Sequence, residues 1–438
     1  MNAAAPRTGR SGSRRVPGDD TISVVAGTRA RTIRTLVILA LLTAAAPLSV
    51  DIYTPSLPRI QADLGGGAWL AEGSVTTCLL GIAVGQLLWG PLSDRFGRRP
   101  VVLIGAIGWT LASAASAFAP TAAVLLAVRV AVGLCGAAGI VVARSIVRDI
   151  SSDDHLTGSR IGMLSVVTGI APVIAPTIGA GIAQLFGWRA DFLALALLGA
   201  LTATAFALWV PETMGVAVRT DAAPPGAVPA DAAPPGTGRM STVRTSAARA
   251  LASALRNRQL LGAALAIGLF SLGFYAYIAT AAFIVEREYG HSPAVFAGVF
   301  ATNAAAMLVA TLVFRAVVRR RHAALPLGIG LAISGLSGAG LLVGAGLNAP
   351  EGLIWTLSAL FAAGAGFVLP AAHSWGQATA VASGAASALT GAFQFFGGAL
   401  GSPVTGVIGT TAAHLGGLIA LACVLAAGAW LFGLSARR

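Results

Sequence analysis

Two charged side chains stand inside apolar runs, where water is scarce. Asp51 lies roughly six residues from the outer end of the first run, about 9 Å deep at 1.5 Å per residue. Arg129 lies about eight residues in from the outer end of the fourth run, roughly 12 Å deep by the same rise. In a water-filled cavity a partly desolvated carboxyl can take up and release a proton near neutral pH, because desolvation disfavours its charged form. The plain alternative is an acid near a helix end that reaches interfacial water. A lipid-facing Arg is costly, so Arg129 is expected to point inward at an acid or at backbone carbonyls. One reading pairs it with Asp51 and lets it change partners as the helices around it move; the other makes it a static ion pair.

Residues Thr168 to Gly181 form a third constellation, in which Gly169, Pro172, Pro176 and Gly179 soften a helix and let neighbours approach closely. Generic helix packing accounts for such a stretch equally well. Gln86, Asn303, His373, Gln377 and Gln394 are the other polar residues within apolar runs, and each suits an interhelical hydrogen bond. Tyr53, Asn303 and Gln394 are candidates for a substrate cavity. His373 falls near the inner end of its run and is set aside as a proton site. No nucleophile and base, or set of metal ligands, shares one depth, so an enzyme is not expected. Cys78, Cys135 and Cys423 read as small buried hydrophobes.

These residues are positioned by apolar runs that flank a charged turn, Gly90 to Pro100, containing Asp94, Arg95, Gly97, Arg98 and Arg99. Runs of about 20 residues on both sides mean spans of a bilayer. The arginines put the turn on the cytoplasmic side. Six spans are expected in the first half, near 33–57, 69–90, 101–119, 122–143, 161–186 and 190–210. Six more follow near 260–284, 294–314, 323–347, 352–374, 384–408 and 413–434. With termini and even-numbered loops inside, only Arg59, Arg189 and Arg287 fall outside, and Arg129 sits within a span.

Composition agrees. The chain is 56% hydrophobic and 10% charged, against about 25% charged for a soluble domain. The net charge of +13 is spread over loops rather than gathered on a domain, which argues against a nucleic-acid partner. The expected organisation is a disordered cytoplasmic tail (1–32), an N-terminal six-helix bundle (33–210), a cytoplasmic linker (211–259) and a C-terminal six-helix bundle (260–435). The linker repeats Asp-Ala-Ala-Pro-Pro-Gly at 221–226 and 231–236, and its basic second part, 241–260, suits an amphipathic helix on the membrane.

Several stretches together resemble the Bcr/CflA branch of drug-resistance transporters in the major facilitator superfamily. They are Leu48 to Pro58, Gly85 to Pro100, Ala143 to Asp149, Pro211-Glu212-Thr213 and Ser387 to Phe395. Thr54 stands where Leu is usual, and Ala175 and Ala180 where the fifth-helix motif has Gly. The resemblance implies an all-α membrane protein with twelve spans in two six-helix bundles and a central cavity. It implies proton-coupled efflux of small amphiphilic compounds such as antibiotics, driven by the proton gradient without a cofactor. A monomer in the cytoplasmic membrane is expected, with small-molecule substrate, protons and the lipid bilayer as its partners. The resemblance also implies that Asp94 meets the inner end of the eleventh helix, where the positive terminus attracts a carboxylate. A carrier of one metabolite on the same fold, and a non-transporting membrane sensor, are the competing readings. If the linker only connects, deleting 220–238 leaves membrane expression and transport intact, which a vesicle assay on the shortened chain checks.

Overall fold

The structure, a computed structural model, describes residues 19–65, 68–151, 160, 164, 174–213, 255–318, 320, 322–378 and 383–435. Apolar runs become helices because a helix satisfies every backbone group within the segment, which lipid cannot do. The first half forms α1 (Asp19–Asp51), a short α2 (Leu57–Leu64), α3 (Ala68–Phe96), α4 (Arg98–Ala117), α5 (Ala122–Asp149), α6 (Ile174–Phe186) and α7 (Arg189–Trp209). The second half forms α8 (Arg258–Phe283), α9 (Pro293–Val318), α10 (Ala324–Gly346), α11 (Glu351–Gln377), α12 (Ser383–Ile408) and α13 (Ala412–Leu434).

Among the described residues, ten helices are long and apolar enough to span on their own. The remaining two of the twelve are α6, whose inner part lies outside the described residues, and α12. The latter has 26 residues but is diluted by Gly, Ser, Thr and Gln394. The architecture is six spans plus six, all α.

One boundary differs from expectation. Residues 19–32, read as part of a disordered tail, begin α1 instead. Once the apolar run has nucleated a helix, each added residue costs little, so the helix extends into the polar sequence before it. The tail before residue 19 and the linker from 214 to 254, with its repeats and most of its basic segment, lie outside the described residues.

Burial is inverted relative to a soluble protein. On α7, Leu193, Leu197, Leu201 and Leu208 are exposed and form a stripe that suits lipid, while Phe192, Leu195, Thr202 and Phe206 face the bundle. With apolar solvent outside, helices associate through close packing of small residues rather than through hydrophobic burial. The main seam between the bundles joins α3 to α12.

Gly179 on α6 is an extreme case of close approach. A Cβ there would lie 1.7 Å from the Ile52 carbonyl oxygen, immediately beyond the end of α1. Pro176 sits one turn earlier on the same helix, whereas Gly169 and Pro172 lie outside the described residues. Gly179→Val must therefore push α6 off the end of α1, at a cost of about 1–3 kcal/mol or more. A lower melting temperature in detergent is expected, with Gly181→Ala, which meets nothing within 4 Å, as the unaffected control.

Candidate functional site

The end of α1 lies inside the bilayer, and the last carbonyls of a helix have no partner within it. Arg129 supplies one. Its Nη2 donates to the Ser49 carbonyl, and its Nε lies 3.5 Å from the Ser74 carbonyl. The guanidinium sits over the Tyr53 ring at 4.4 Å from the centroid, with Phe192 at 5.7 Å. A cation here also faces the negative end of the α1 dipole. Ser74 donates to the Tyr53 hydroxyl at 3.0 Å, and Trp109 Nε1 donates to Ser49 Oγ at 2.7 Å, so the cradle is fixed from α3 and α4 as well.

Asp51 belongs to the same helix end but faces elsewhere. It is only 2% exposed, and its Oδ1 accepts no hydrogen bond from any described residue. Cys78 on α3 and Tyr275 on α8 lie within its electrostatic reach, which places it at the boundary between the two bundles. Among the described residues no ion pair joins Asp51 to Arg129. The expected pair is thus absent from this state for a geometric reason. Arg129 reaches a residue two positions before Asp51, and two positions are about 200° around a helix.

The two bundles touch at both ends. On the outer side Arg287 Nη2 donates to Gln61 Oε1 at 2.9 Å, and on the inner side Arg144 Nη1 donates to Ser387 Oγ at 2.7 Å. Asp51 is therefore enclosed between two closures.

The charged turn is tighter than expected. Helix α3 continues through Gly90, Asp94 and Arg95 to Phe96, with Pro91 inside it, and the turn is the single residue Gly97 at φ 100°. Glycine is the residue that adopts such a φ without strain. A Cβ there would also stand 2.7 Å from Glu212 Oε2. Glu212 is the cause of the crowding: the backbone N–H groups of Arg98 and Arg99, which open α4, donate to its two oxygens at 3.0 Å each. A helix N-terminus is a natural anion site. The Arg98 side chain binds Asp94, Ser93 Oγ at 2.7 Å and Asp149 Oδ2 at 3.1 Å, and Thr213 donates to the same Asp149 oxygen at 3.2 Å. Arg99 Nη2 donates to the Ala207 carbonyl at 2.7 Å, while Arg95 rests on the Phe96 ring. Helices α3, α4 and α5 and the segment after α7 are thereby latched together.

Asp94 is half-exposed and paired with Arg98. Its expected contact with the inner end of α12 is not among the described contacts, and residues 379–382, which lead into that helix, lie outside the described residues.

A sequence profile of the Major Facilitator Superfamily matches residues 39–402. The chain belongs to this superfamily. It is 30% identical over 404 residues to the uncharacterized MFS-type transporter YdgK of Bacillus subtilis, covering 92% of this chain and 95% of that one. It is 28% identical to the bicyclomycin resistance protein homolog of Haemophilus influenzae, covering 71% and 73% of the two chains. Over a shorter stretch, 38% of this chain and 40% of the other, it is 38% identical to the chloramphenicol resistance protein of Pseudomonas aeruginosa. These relatives agree with the Bcr/CflA resemblance. Among solved structures, the xylose transporter XylE from E. coli, partially occluded and inward-open, matches with TM-score 0.72 at 14% identity, over 93% of this chain and 98% of that one. That likeness speaks for the fold alone.

In this superfamily member the three residues expected to line a cavity are all engaged in packing. Tyr53 is the fully buried floor beneath Arg129. Asn303 Nδ2 donates to the Tyr277 hydroxyl and to Ser358 Oγ, tying α9 to α8 and α11 beside an apolar crevice at the outer end of the C-terminal bundle. Gln394 Oε1 meets His373 Nε2 at 2.9 Å. Sequence reasoning also passed over Asp191, fully buried in the first turn of α7 and bound by Ser56 Oγ at 2.8 Å. An acid one residue after a charged break reads as loop, so its burial left little signal.

Arg129→Ala removes a buried charged hydrogen bond and a ring contact together, a loss of about 2–4 kcal/mol. A melting temperature lower by several degrees in detergent is expected. Arg129→Lys, which keeps the charge but reaches fewer partners, falls between.

Proposed function

We propose that this chain exports small amphiphilic compounds, antibiotics among them, in exchange for protons, by alternating exposure of a central site to the two sides of the cytoplasmic membrane. The observation that supports it best is Asp51: a buried acid with an unpartnered oxygen, placed where two bundles meet. A carboxylate without a partner costs several kcal/mol to enclose, and its neutral acid costs much less. Enclosure of Asp51 therefore goes with a bound proton. An ionised Asp51 calls instead for water or a substrate, and so for an open cavity. Proton and substrate thus use the same residue in turn, and the pH gradient gives the cycle its direction.

The names of the relatives, bicyclomycin and chloramphenicol resistance proteins, support a drug-like cargo over a single metabolite. The superfamily is one of transporters, and an enzymatic step forms no part of this cycle. The arginine distribution supports an orientation with both termini in the cytoplasm. One proton suffices energetically. A charge crossing about 100 mV releases roughly 2.3 kcal/mol, and about 1.4 kcal/mol is a tenfold ratio. A single proton per neutral substrate then sustains about a 50-fold gradient, so no cofactor is required. A monomer is sufficient for this cycle.

The test is everted vesicles with a panel of candidate antibiotics, read by a pH-sensitive dye. Substrate-dependent proton movement is expected in the unmodified protein. Asp51→Asn, a fixed mimic of the neutral acid, folds and lets substrate equilibrate but no longer couples it to protons. Coupling that survives in Asp51→Asn would remove this residue from the mechanism.

A further inference from the structure

The inner closure holds a charge without its counterpart. Arg144 lies in the last two turns of α5 and reaches across the interface, where its Nη1 donates to Ser387 Oγ on α12 at 2.7 Å. Among the described residues it forms no ion pair. Asp149, the acid on the same helix, is bound instead by Arg98 and Thr213. The charge that acts on Arg144 is Arg148, one turn further on and of like sign. From the opposite bundle it meets the hydroxyl of Ser387, with the imidazole of His373 within electrostatic reach. Neither supplies a negative charge.

A charged side chain inside a membrane protein ordinarily has a partner or lies on a ligand's path. A guanidinium carries five donors and can hold a planar anion through two of them at once. Ser387 occupies one with a neutral oxygen, which an anion would exceed in strength. Arg144 also stands roughly 22 Å further along α5 than Arg129, at 1.5 Å per residue. An anion there is therefore far from the Asp51 end of the interface and does not oppose that carboxylate. One turn beyond Ser387, Gly391 leaves α12 without a side chain against the buried Gln86 of α3, whose Oε1 would lie 3.1 Å from a Cβ at that position. Beside the guanidinium the interface thus offers an amide and bare backbone, which suit an uncharged body.

We propose that Arg144 is the subsite for an acidic group on the cargo, so that the amphiphiles this chain handles include carboxylates and related monoanions. The anion arrives from the cytoplasm and takes the guanidinium from Ser387. The inner closure loses its bond as the cargo gains one, and entry and opening become one event. Export of such a cargo rests on the reading above, but its binding does not.

The test is equilibrium binding without a gradient, so it does not depend on proton coupling. The full chain in phosphatidylcholine nanodiscs is dialysed against para-hexylbenzoate or para-hexylbenzamide, two probes of one shape, with empty discs subtracting lipid partition. At about pH 8 the benzoate is ionised, because carboxyl groups ordinarily titrate near 4. The unmodified protein should bind the benzoate about tenfold tighter than the amide, as a charge-assisted hydrogen bond implies. Arg144→Gln should bring the benzoate down to the level of the amide while amide binding persists, and Arg144→Lys should keep part of the preference. The preference should also survive in discs that contain phosphatidylglycerol; its loss there would assign the guanidinium to a lipid phosphate and overturn the proposal. Equal binding of the two probes by the unmodified protein overturns it and leaves the export reading standing, whereas saturable binding of neither counts against both. A preference that persists in Arg144→Gln, or in Arg144→Met should the Gln variant fail to fold, also overturns it.

Discussion

Helix α1 stops at Asp51, before its apolar span ends, and the candidate site follows from what that stop requires. Free carbonyls at a helix end must find donors where no lipid can supply them. Arg129 meets the need with a charged donor that lies against the negative end of the helix dipole and over the Tyr53 ring. The consequence for Asp51 is indirect. Because the arginine is committed to Ser49, the acid two residues on has no cation, and its protonation is free to answer to the state of the bundle interface. A salt bridge between the two would have held Asp51 ionised and made it a poor proton carrier.

The remaining polar contacts divide into those that hold a bundle together and those that cross between bundles. The Glu212 carboxylate on the α4 N-terminus, with Arg98, Asp149 and Thr213 beside it, is of the first kind. It makes the inner ends of α3, α4 and α5 and the chain after α7 one body. Single bonds such as Arg144 to Ser387 and Arg287 to Gln61 are of the second kind. A rigid half joined to its neighbour by few, replaceable bonds is what rigid-body rocking requires.

The spans were legible because about 20 consecutive apolar residues suit little except the interior of a bilayer. Their ends were less so. Helix α3 runs to Phe96 and α5 to Asp149, past the apolar limits near 90 and 143, because helices continue into polar sequence when charged side chains find partners there. The pairing of Asp51 with Arg129 was misjudged for a different reason: counting residues from the span end gives depth but says nothing of direction around the helix. Glu212 carried no spacing signal of its own, since its partners Arg98 and Arg99 lie 114 and 113 residues before it in the sequence.

The inner closure is weakly held. A hydrogen bond from a charged donor contributes about 1.5–3 kcal/mol, and the apolar surface along the seam between α3 and α12 gains little from being hidden from lipid. A larger latch across the interface, of the kind Glu212 makes within its own bundle, would cost more to release on each cycle. The strong contacts therefore belong inside the bundles and the weak ones between them, and this division lets a gradient of about one proton's worth of energy turn the carrier over.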